Sequence, residues 1–493
     1  MWTRNALQEF ISAKMAGIKF IVVANREPFI HTYKDDRIEV LEPASGMATA
    51  IDPIMDASGG TWIAHGSGDA DREAVDEFDR VRVPPENPTY TLRRVWLTKE
   101  QEEGFYYGMA NDGLWPLCHV TFTAPTFRPK DWEQYEAVNR VYADAVLQEA
   151  GDGPAFVFIQ DYHFALLPRM LKNANPKLIV AQFWHIPWPN KEVFRVFPWK
   201  EQLLDGMLGN DLLGFHLRYH CQNFLDTVDR QIEARVDNER FDIVRGGRTT
   251  CVRPFPISID FDEVNALAQG EEVRAATAKW KRVLGKRAEF VGVGIERLDY
   301  SKGIPSRLRA LDDLFERYPQ YRGKLTFVQV AVPSRQQVPA YARLAQEVEQ
   351  IAREINFKWK DRGWHPLLLI EEHLGPVDMG ALHRLSHFCV VSSLHDGMNL
   401  VAKEYIAGRP DEGGALILSR FTGSARELDD ALQVNPFAYH EIADAMHQAL
   451  AMPAEERQRR MRKMREHVAR HNVYRWGAKV LSELLKFEFP ENT

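Results

Sequence analysis

The chain has 493 residues, 45% of them hydrophobic and 27% charged. That length exceeds what one hydrophobic core serves, so two domains are expected, and the composition is that of an ordinary globular protein. A formal net charge of −7 gives no electrostatic reason to expect nucleic-acid or membrane binding. The basic run from Arg457 to Arg465 is flanked by Glu455, Glu456 and Glu466 and reads as a solvated helix face. The four cysteines, Cys118, Cys221, Cys251 and Cys389, have no paired spacing. Neither a disulfide framework nor a zinc site is suggested, and a reducing cytoplasm fits. No apolar stretch reaches membrane-spanning length.

Residues 1–17 carry Glu9 and no continuous apolar core, so they read as a short amphipathic lead-in helix and not a secretory signal. Residues 19–24 are the first predicted strand, ending at Asn25-Arg26-Glu27-Pro28. A polar stretch runs to Glu42, and residues 44–51, which include Ser45-Gly46, begin a helix. Gly59-Gly60 turns the chain into a second strand containing Trp62, and residues 91–97 form a third. An aromatic-rich region follows, from Phe105-Tyr106-Tyr107 to Leu114-Trp115-Pro116, and residues 131–149 have helical spacing of apolar positions.

Strands and helices then alternate. Strand 156–159 ends in Gln160-Asp161-Tyr162-His163, and strand 178–184 ends in His185-Ile186-Pro187-Trp188-Pro189. Strand 212–215 precedes a helix over residues 220–230, and residues 253–257 read as the connection between halves. The alternation restarts with strand 290–295, which ends in Glu296-Arg297-Leu298-Asp299-Tyr300-Ser301-Lys302-Gly303. Strand 325–332 ends at Pro333-Ser334-Arg335, and further strands are predicted at 367–370, 389–392 and 415–418, with helices at 306–316 and 340–354. Continuous apolar strands that end in polar loops mean parallel sheets covered on both faces. The predicted fold class is therefore α/β, with two doubly wound domains facing one another across a cleft. The boundaries are a lead-in segment at 1–17, a first domain at 18–255, a second at 256–470, and a C-terminal helix at 471–493 that packs on one or the other.

The informative polar residues lie just beyond predicted strand ends, where such folds bind ligands. Asp396 sits in the turn after strand 389–392, and Glu404 lies about one helical turn into the following helix. The turn and helix start offer backbone N–H groups to a phosphate or sugar. Alone, the two acids are as readily a cap and a solvated face as a pair of ligand contacts. Arg297 and Lys302, around a turn ending in Gly303, suit a diphosphate. Arg26 and Arg335 come from different halves and could hold a second phosphate between them. His185 is either a satisfied core histidine or a partner for a sugar hydroxyl. Asp161 is either an Asx-turn or a ligand contact. Trp62, Tyr106 and Trp115 are core aromatics or a platform for sugar rings. There is no Gly-Lys-Ser/Thr phosphate loop, no Gly-x-Gly-x-x-Gly after the first strand, and no metal-ligand spacing. Arg and Lys are then expected to neutralise the diphosphate, with no cofactor and no obligatory metal.

Five motifs in order, Leu-Trp-Pro (114–116), Gln-Asp-Tyr-His (160–163), His-Ile-Pro-Trp-Pro (185–189), Glu-Arg-Leu-Asp-Tyr-Ser-Lys-Gly (296–303) and Asp-Gly-Met-Asn-Leu-Val-Ala-Lys-Glu (396–404), resemble those of trehalose-6-phosphate synthases. These are retaining glycosyltransferases of family 20, with two Rossmann-like domains in the GT-B arrangement. The resemblance implies that Arg297 and Lys302 hold a nucleotide diphosphate and Glu404 its ribose. It implies that Asp396, Asn399 and Leu400 hold the donor glucose, that Gly46 lies in the donor-phosphate loop, and that His185 and Asp161 contact donor sugar and acceptor. Arg26, Trp62, Tyr106, Trp115 and Arg335 would bind glucose 6-phosphate. The implied reaction joins UDP-glucose and glucose 6-phosphate into α,α-trehalose 6-phosphate and UDP. It proceeds by front-face attack with no enzymic nucleophile, and domain closure excludes water. These small molecules are the implied partners, the compartment is cytoplasmic, and a homo-oligomer is compatible with the chain. Two features depart from the pattern. The loop usually written Gly-Gly is Ser45-Gly46. Glu27-Pro28-Phe29 and residues 97–101 also resemble glucosylglycerol-phosphate synthases, which use ADP-glucose and glycerol 3-phosphate. Asn25, Leu298, Ser301 and Pro333-Ser334-Arg335 match the trehalose pattern.

Overall fold

A computed structural model describes residues 2–42, 46–361 and 363–489. The chain divides into two compact units, Met1–Ile257 with Val473–Thr493, and Ser258–Asn472. The first contains β1 (Lys19–Val23), β2 (Ile30–Lys34), β3 (Arg37–Leu41), β4 (Thr61–His65), β5 (Arg80–Val83), β6 (Tyr90–Val95), β7 (Ala155–Gln160), β8 (Ile179–Phe183), β9 (Leu212–Phe215), β10 (Arg235–Asp237), β11 (Asp242–Arg245) and β12 (Arg248–Pro254). Ten of these form one sheet in the order β10-β11-β12-β9-β8-β7-β1-β4-β6-β5. Its pairings from β6 to β12 are parallel. Antiparallel strands occur only at its edges. Every residue of β7, β8 and β9 is buried, as strands covered on both faces must be.

The winding reverses between β1 and β7. The chain runs β1, β4, β6 to one side and β7, β8, β9, β12 to the other. Ligands of doubly wound sheets sit at such a reversal, beyond the carboxyl ends of the strands. The loops that leave this point carry Asn25 and Arg26 after β1, and Asp161 after β7.

The second unit contains β13 (Phe290–Arg297), β14 (Leu325–Val332), β15 (Leu367–Ile370), β16 (Phe388–Val391), β17 (Ala415–Ser419) and β18 (Leu432–Val434). They form an all-parallel sheet in the order β15-β14-β13-β16-β17-β18. Counted from β13, this is the 3-2-1-4-5-6 order of dinucleotide-binding folds. The strand period of two divides the core between the faces. Phe327, Phe388, Val390 and Ile417 enter one apolar cluster, while Val328, Cys389, Val391 and Leu416 enter the other. The winding reverses between β13 and β16.

The C-terminal helix Val473–Leu484 packs within the first unit. Trp476, 2% exposed, meets Phe158 and Phe183 at ring distances of 6.3 and 5.4 Å. Burying one such side chain stabilises by about 1.5–3 kcal/mol. A Cβ on Gly477 would come within 3.1 Å of Ile54 and 3.5 Å of Leu7, so a glycine lets this helix lie close against Gly46–Ser58 and Arg4–Lys14. The short strands β5, β10, β11, β12 and β18 were not predicted, and two further elements near the first switch point were also missed. β2 and β3 form a separate hairpin in the polar stretch before Glu42, turned by Asp35 and Asp36 at φ 49° and 59°. Their largely half-buried and exposed residues give no apolar alternation to read. The aromatic region forms a π-helix, Glu103–Leu114. Among the described residues no helix is long and apolar enough to cross a membrane.

Candidate active site

In the second unit the reversal between β13 and β16 gathers four of the expected residues. β13 ends at Arg297, and a short turn over Tyr300–Lys302 delivers Lys302 to the sheet edge. Gly303 follows at φ 63°, where a Cβ would lie 2.2 Å from the Ser392 carbonyl oxygen, so only glycine lets this turn approach the end of β16. After β16, Asp396 pairs as a bridge with Thr422, and its carboxylate lies 2.5 Å from the Lys302 ammonium. The same oxygen accepts from Ser393 Oγ and Asn399 Nδ2, both at 3.2 Å.

Asn399 takes φ 79° and caps the helix Leu400–Ala407 by accepting from the Ala402 N–H at 3.1 Å. The N–H groups of Leu400 and Val401 begin that helix with no carbonyl one turn earlier to take them. Glu404 is half-buried one turn further on. It has no side-chain partner among the described residues, and burial pushes its carboxyl above the usual range. A cation pair, a helix start and an unsatisfied carboxyl thus converge on one sheet edge.

Sequence reasoning missed the groups that hold this edge. Arg307, wholly buried, donates to Glu296 at 2.9 Å, Ser392 at 3.0 Å and Gln329 at 3.1 Å. Ser392 Oγ in turn donates to the Lys302 and Gly303 carbonyls at 3.2 and 3.1 Å. The guanidinium passes over Gly294, where a Cβ would sit 2.3 Å from it. Burial raises the Glu296 carboxyl against the pull of Arg307 and Lys302. An arginine on the core-facing stripe of a helix, four residues past Gly303, was the available signal.

Arg335 stands after β14 at φ 48°. Its Nη1 lies 2.7 Å from the Tyr341 hydroxyl and 3.6 Å from Asp299 Oδ2. Tyr341 also donates to Asp299 at 3.2 Å. Although burial works to raise it, the charges of Arg335, Arg297 and Lys302 hold the Asp299 carboxyl below its usual value. Arg335 therefore rests engaged within its own unit, and Asp299 and Tyr341 are further residues that sequence reasoning missed.

In the first unit, Asp161 occupies φ 72°, ψ −179°, a conformation that glycine alone enters without strain. Its Oδ1 accepts from the His185 N–H at 3.1 Å, and its carbonyl accepts from Gln182 at 3.0 Å. His185 Nε2 lies 3.0 Å from the side-chain amide oxygen Oε1 of Gln160, so that nitrogen carries the proton and Nδ1 is the acceptor. Burial pushes the His185 pKa down to about 3, which keeps the ring neutral. A cavity of about 220 Å³ is lined by Asn25, Arg26, Glu27, His65, Glu102 and Tyr106, among others. Arg26 is exposed and has no ion-pair partner among the described residues. Tyr106, on the π-helix, stacks on His163 at 5.8 Å and 10°.

Trp62 is fully buried on β4 against Tyr90, with rings 6.5 Å apart. Its indole is buried, and Nε1 has no hydrogen-bond partner among the described residues. Trp115 is 5% exposed and stacks on His119 at 4.1 Å, so of the three only Tyr106 lines the cavity. Gly46 opens the helix Gly46–Ser58, and Ser45 lies outside the described residues. Among the described residues no group of three His, Cys, Asp or Glu side chains could hold a metal ion.

The model of glycosyltransferase family 20 matches residues 18–486. A trehalose-6-phosphate synthase of Mycolicibacterium vanbaalenii is 37% identical over 485 residues, covering 97% of this chain and 98% of the relative. An E. coli structure bound with UDP-2-fluoro glucose superposes with a TM-score of 0.84 at 30% identity, over 95% and 99% of the two chains. A Burkholderia xenovorans α,α-trehalose-phosphate synthase (UDP-forming) in complex with glucose-6-phosphate gives 0.82 at 29% identity, over 94% and 99%. Two doubly wound units joined in one chain are the GT-B fold. The match to the family model, spanning both units and both switch points, makes this protein a member of glycosyltransferase family 20.

Proposed function

We propose that the protein transfers glucose from UDP-glucose to glucose 6-phosphate, giving α,α-trehalose 6-phosphate and UDP. The observation that carries this reading is the cluster at the β13–β16 reversal. There Lys302, Arg297, the start of the helix Leu400–Ala407 and an unpartnered Glu404 lie on one sheet edge. Arg297 and Lys302 take the diphosphate, and Glu404 accepts from the ribose hydroxyls. Asp396, with the backbone of Asn399 and Leu400, holds the glucose, and Gly46 belongs to the loop for the donor phosphates. In the first unit Arg26 and Tyr106 take the acceptor phosphate, with Trp115 behind them, and Arg335 contributes the second guanidinium.

The chemistry is retaining. Asp396 is already engaged by Lys302, Ser393 and Asn399, which disfavours it as a nucleophile. His185 has a pKa of about 3 and is too weak a base to take the acceptor's proton near neutrality. The leaving diphosphate itself takes that proton, while the cations stabilise the charge it acquires. His185 and Asp161 orient sugar hydroxyls by hydrogen bonding. Metal is not obligatory in this scheme, and the reaction runs in the cytoplasm, where the four unpaired cysteines stay reduced.

The experiment is incubation with UDP-glucose or ADP-glucose and, separately, glucose 6-phosphate or glycerol 3-phosphate, with the product identified by mass. Trehalose 6-phosphate from UDP-glucose is expected, and activity should survive EDTA. Glucosylation of glycerol 3-phosphate alone overturns the assignment, and a loss in EDTA restored by Mg²⁺ overturns the metal-free scheme.

A further inference from the structure

The cavity that holds Arg26 is backed by a charge cluster that the reaction does not use. Glu27, next in the chain, is 2% exposed, while Asp71 and Arg94 are wholly buried. Arg94, on β6, donates from Nε to Glu27 Oε2 at 2.9 Å and from Nη2 to Asp71 Oδ1 at 2.7 Å. It also reaches the Phe29 and Asp71 carbonyls, both at 3.1 Å, and His31 Nδ1 at 2.8 Å. The other Glu27 oxygen accepts from the N–H and hydroxyl of Ser67 at 2.9 and 3.0 Å. Asp71 accepts from the N–H groups of His31 and Gly68 at 2.8 and 2.7 Å. One guanidinium thus ties together the loop after β1, the β2–β3 hairpin and the loop after β4.

We propose that Glu27 is a positioning residue, whose buried tie to Arg94 fixes the loop after β1 and keeps its neighbour Arg26 available for the acceptor's phosphate. The proposal rests on the reaction above only for the identity of that phosphate. With Glu27 bound into Arg94 and Ser67, the backbone leading to Arg26 has little freedom, and preorganisation of this kind lowers the cost of binding.

The same carboxyl makes the grip depend on pH. Two buried carboxyls, Glu27 and Asp71, share one guanidinium, and His31 Nδ1 lies 2.8 Å from it. Burial, then the hydrogen bond to Asp71, raises Glu27 to about 7 against the attraction of Arg94. Burial opposes it, but hydrogen bonds from His31 and Glu27 hold Asp71 down at about 2. Below pH 7 Glu27 is therefore protonated and donates to Asp71. Above pH 7 it ionises, placing a second negative charge beside Asp71 and in the wall of the Arg26 cavity. The other titratable groups facing it there are His65 and Glu102, and behind it the Tyr142 phenol. An added negative charge weakens the hold on a phosphate, which is itself close to a dianion at that pH.

The test is the acceptor's affinity as a function of pH. Binding of glucose 6-phosphate, and in a separate arm glycerol 3-phosphate, is measured by calorimetry from pH 6 to 8.5, beside the acceptor KM and kcat with saturating UDP-glucose. In the wild type, affinity should fall several-fold as pH passes 7. Glu27→Gln, whose amide donates to Asp71 as the protonated acid does, should bind several-fold tighter than wild type at pH 8 and equally at pH 6. Glu27→Ala should raise the acceptor KM at every pH, with most of the loss in KM and the affinity for UDP retained. If Glu27→Ala does not fold, Glu27→Gln alone decides the matter. A Glu27→Gln profile parallel to the wild type for both phosphates overturns the proposal. So does a Glu27→Ala variant that loses UDP and acceptor affinity alike. Binding of glycerol 3-phosphate with the predicted profile, and no turnover of glucose 6-phosphate, leaves the positioning role standing and defeats the assigned reaction.

Discussion

Replacing Asp161 separates a backbone cost from a side-chain contact. Its φ of 72° and ψ of −179° lie where a residue with a Cβ carries about 1–3 kcal/mol of strain. Asp161→Gly releases that strain, loses the hydrogen bond from the His185 N–H at 3.1 Å, and gains about 0.4–1 kcal/mol of unfolded-chain freedom. Asp161→Ala loses the same hydrogen bond, worth about 1 kcal/mol, and keeps the strain. The shared loss cancels, so the glycine variant should be the more stable by about 1–2 kcal/mol. At an ordinary helix or strand position glycine is the less stable by about 0.5–1 kcal/mol, so the sign alone is decisive. Urea and thermal unfolding of the two variants under one condition measure it. An alanine variant that unfolds at or above the midpoint of the glycine variant would refute the strain. Both should lose transferase activity, since neither carries the carboxylate.

Glu404→Gln should stabilise the ligand-free protein at pH 8 and weaken UDP binding by about tenfold, the worth of a charge-assisted hydrogen bond. Its raised pKa means the folded state holds the proton more tightly, so stability falls as pH rises above 4.5. The gain in melting temperature should therefore vanish near pH 4, and a gain independent of pH would count against it. Arg307→Ala leaves Glu296 buried without its cation and should cost about 3–5 kcal/mol in urea unfolding. Because it also frees the Lys302 turn, UDP affinity should fall in parallel, and calorimetry showing full affinity would exclude the tether. For His185 the unfolded chain takes a proton near pH 6.5, while the folded ring does so only near pH 3. Stability should rise with pH across that window by up to about 1.4 kcal/mol per pH unit from this group. His185→Gln should remove that slope, and equal pH dependence in both proteins would contradict it.

The parallel core was readable because strands buried on both faces are continuous apolar runs, and β9, β14 and β15 have the predicted limits. Strand-end loops were readable for the same reason: Lys302 and Asp396 follow such runs, and strand order then places them together. The β2–β3 hairpin was not, since it buries too little to impose alternation. An aromatic on a strand looks alike from either side of a sheet, so the packing of Trp62 against Tyr90 was not legible either. Arg307, Asp299 and Tyr341 were invisible as site residues because key partners are far along the chain: Gln329 and Ser392 lie 22 and 85 residues from Arg307, and Asp299 lies 42 from Tyr341. A charge inside an apolar helical stripe says that a partner exists, but the fold alone names it.

The cations at the two switch points rest differently, and the difference bears on how the donor is told from its product. Arg26 has no ion-pair partner among the described residues, whereas Lys302 is held by Asp396 at 2.5 Å. A diphosphate that captures Lys302 takes it from a carboxylate that is itself 13% exposed. Stripping a buried charge of its partner is costly, about 3–5 kcal/mol when nothing replaces it. Asp396 keeps Ser393 and Asn399 as donors, which reduces that cost without removing it. On the proposed reading, UDP brings uridine and the diphosphate but no glucose hydroxyl, so Asp396 gains no new donor in its complex. UDP-glucose supplies sugar hydroxyls as well, which donate to Asp396 as Lys302 turns to the phosphates. The exchange thus favours donor over product, and Asp396→Asn, which has no charge to leave stranded, should narrow the ratio of UDP-glucose to UDP affinity. Calorimetric titration of both ligands into both proteins measures it. An unchanged ratio would mean that Lys302 binds phosphate without leaving Asp396.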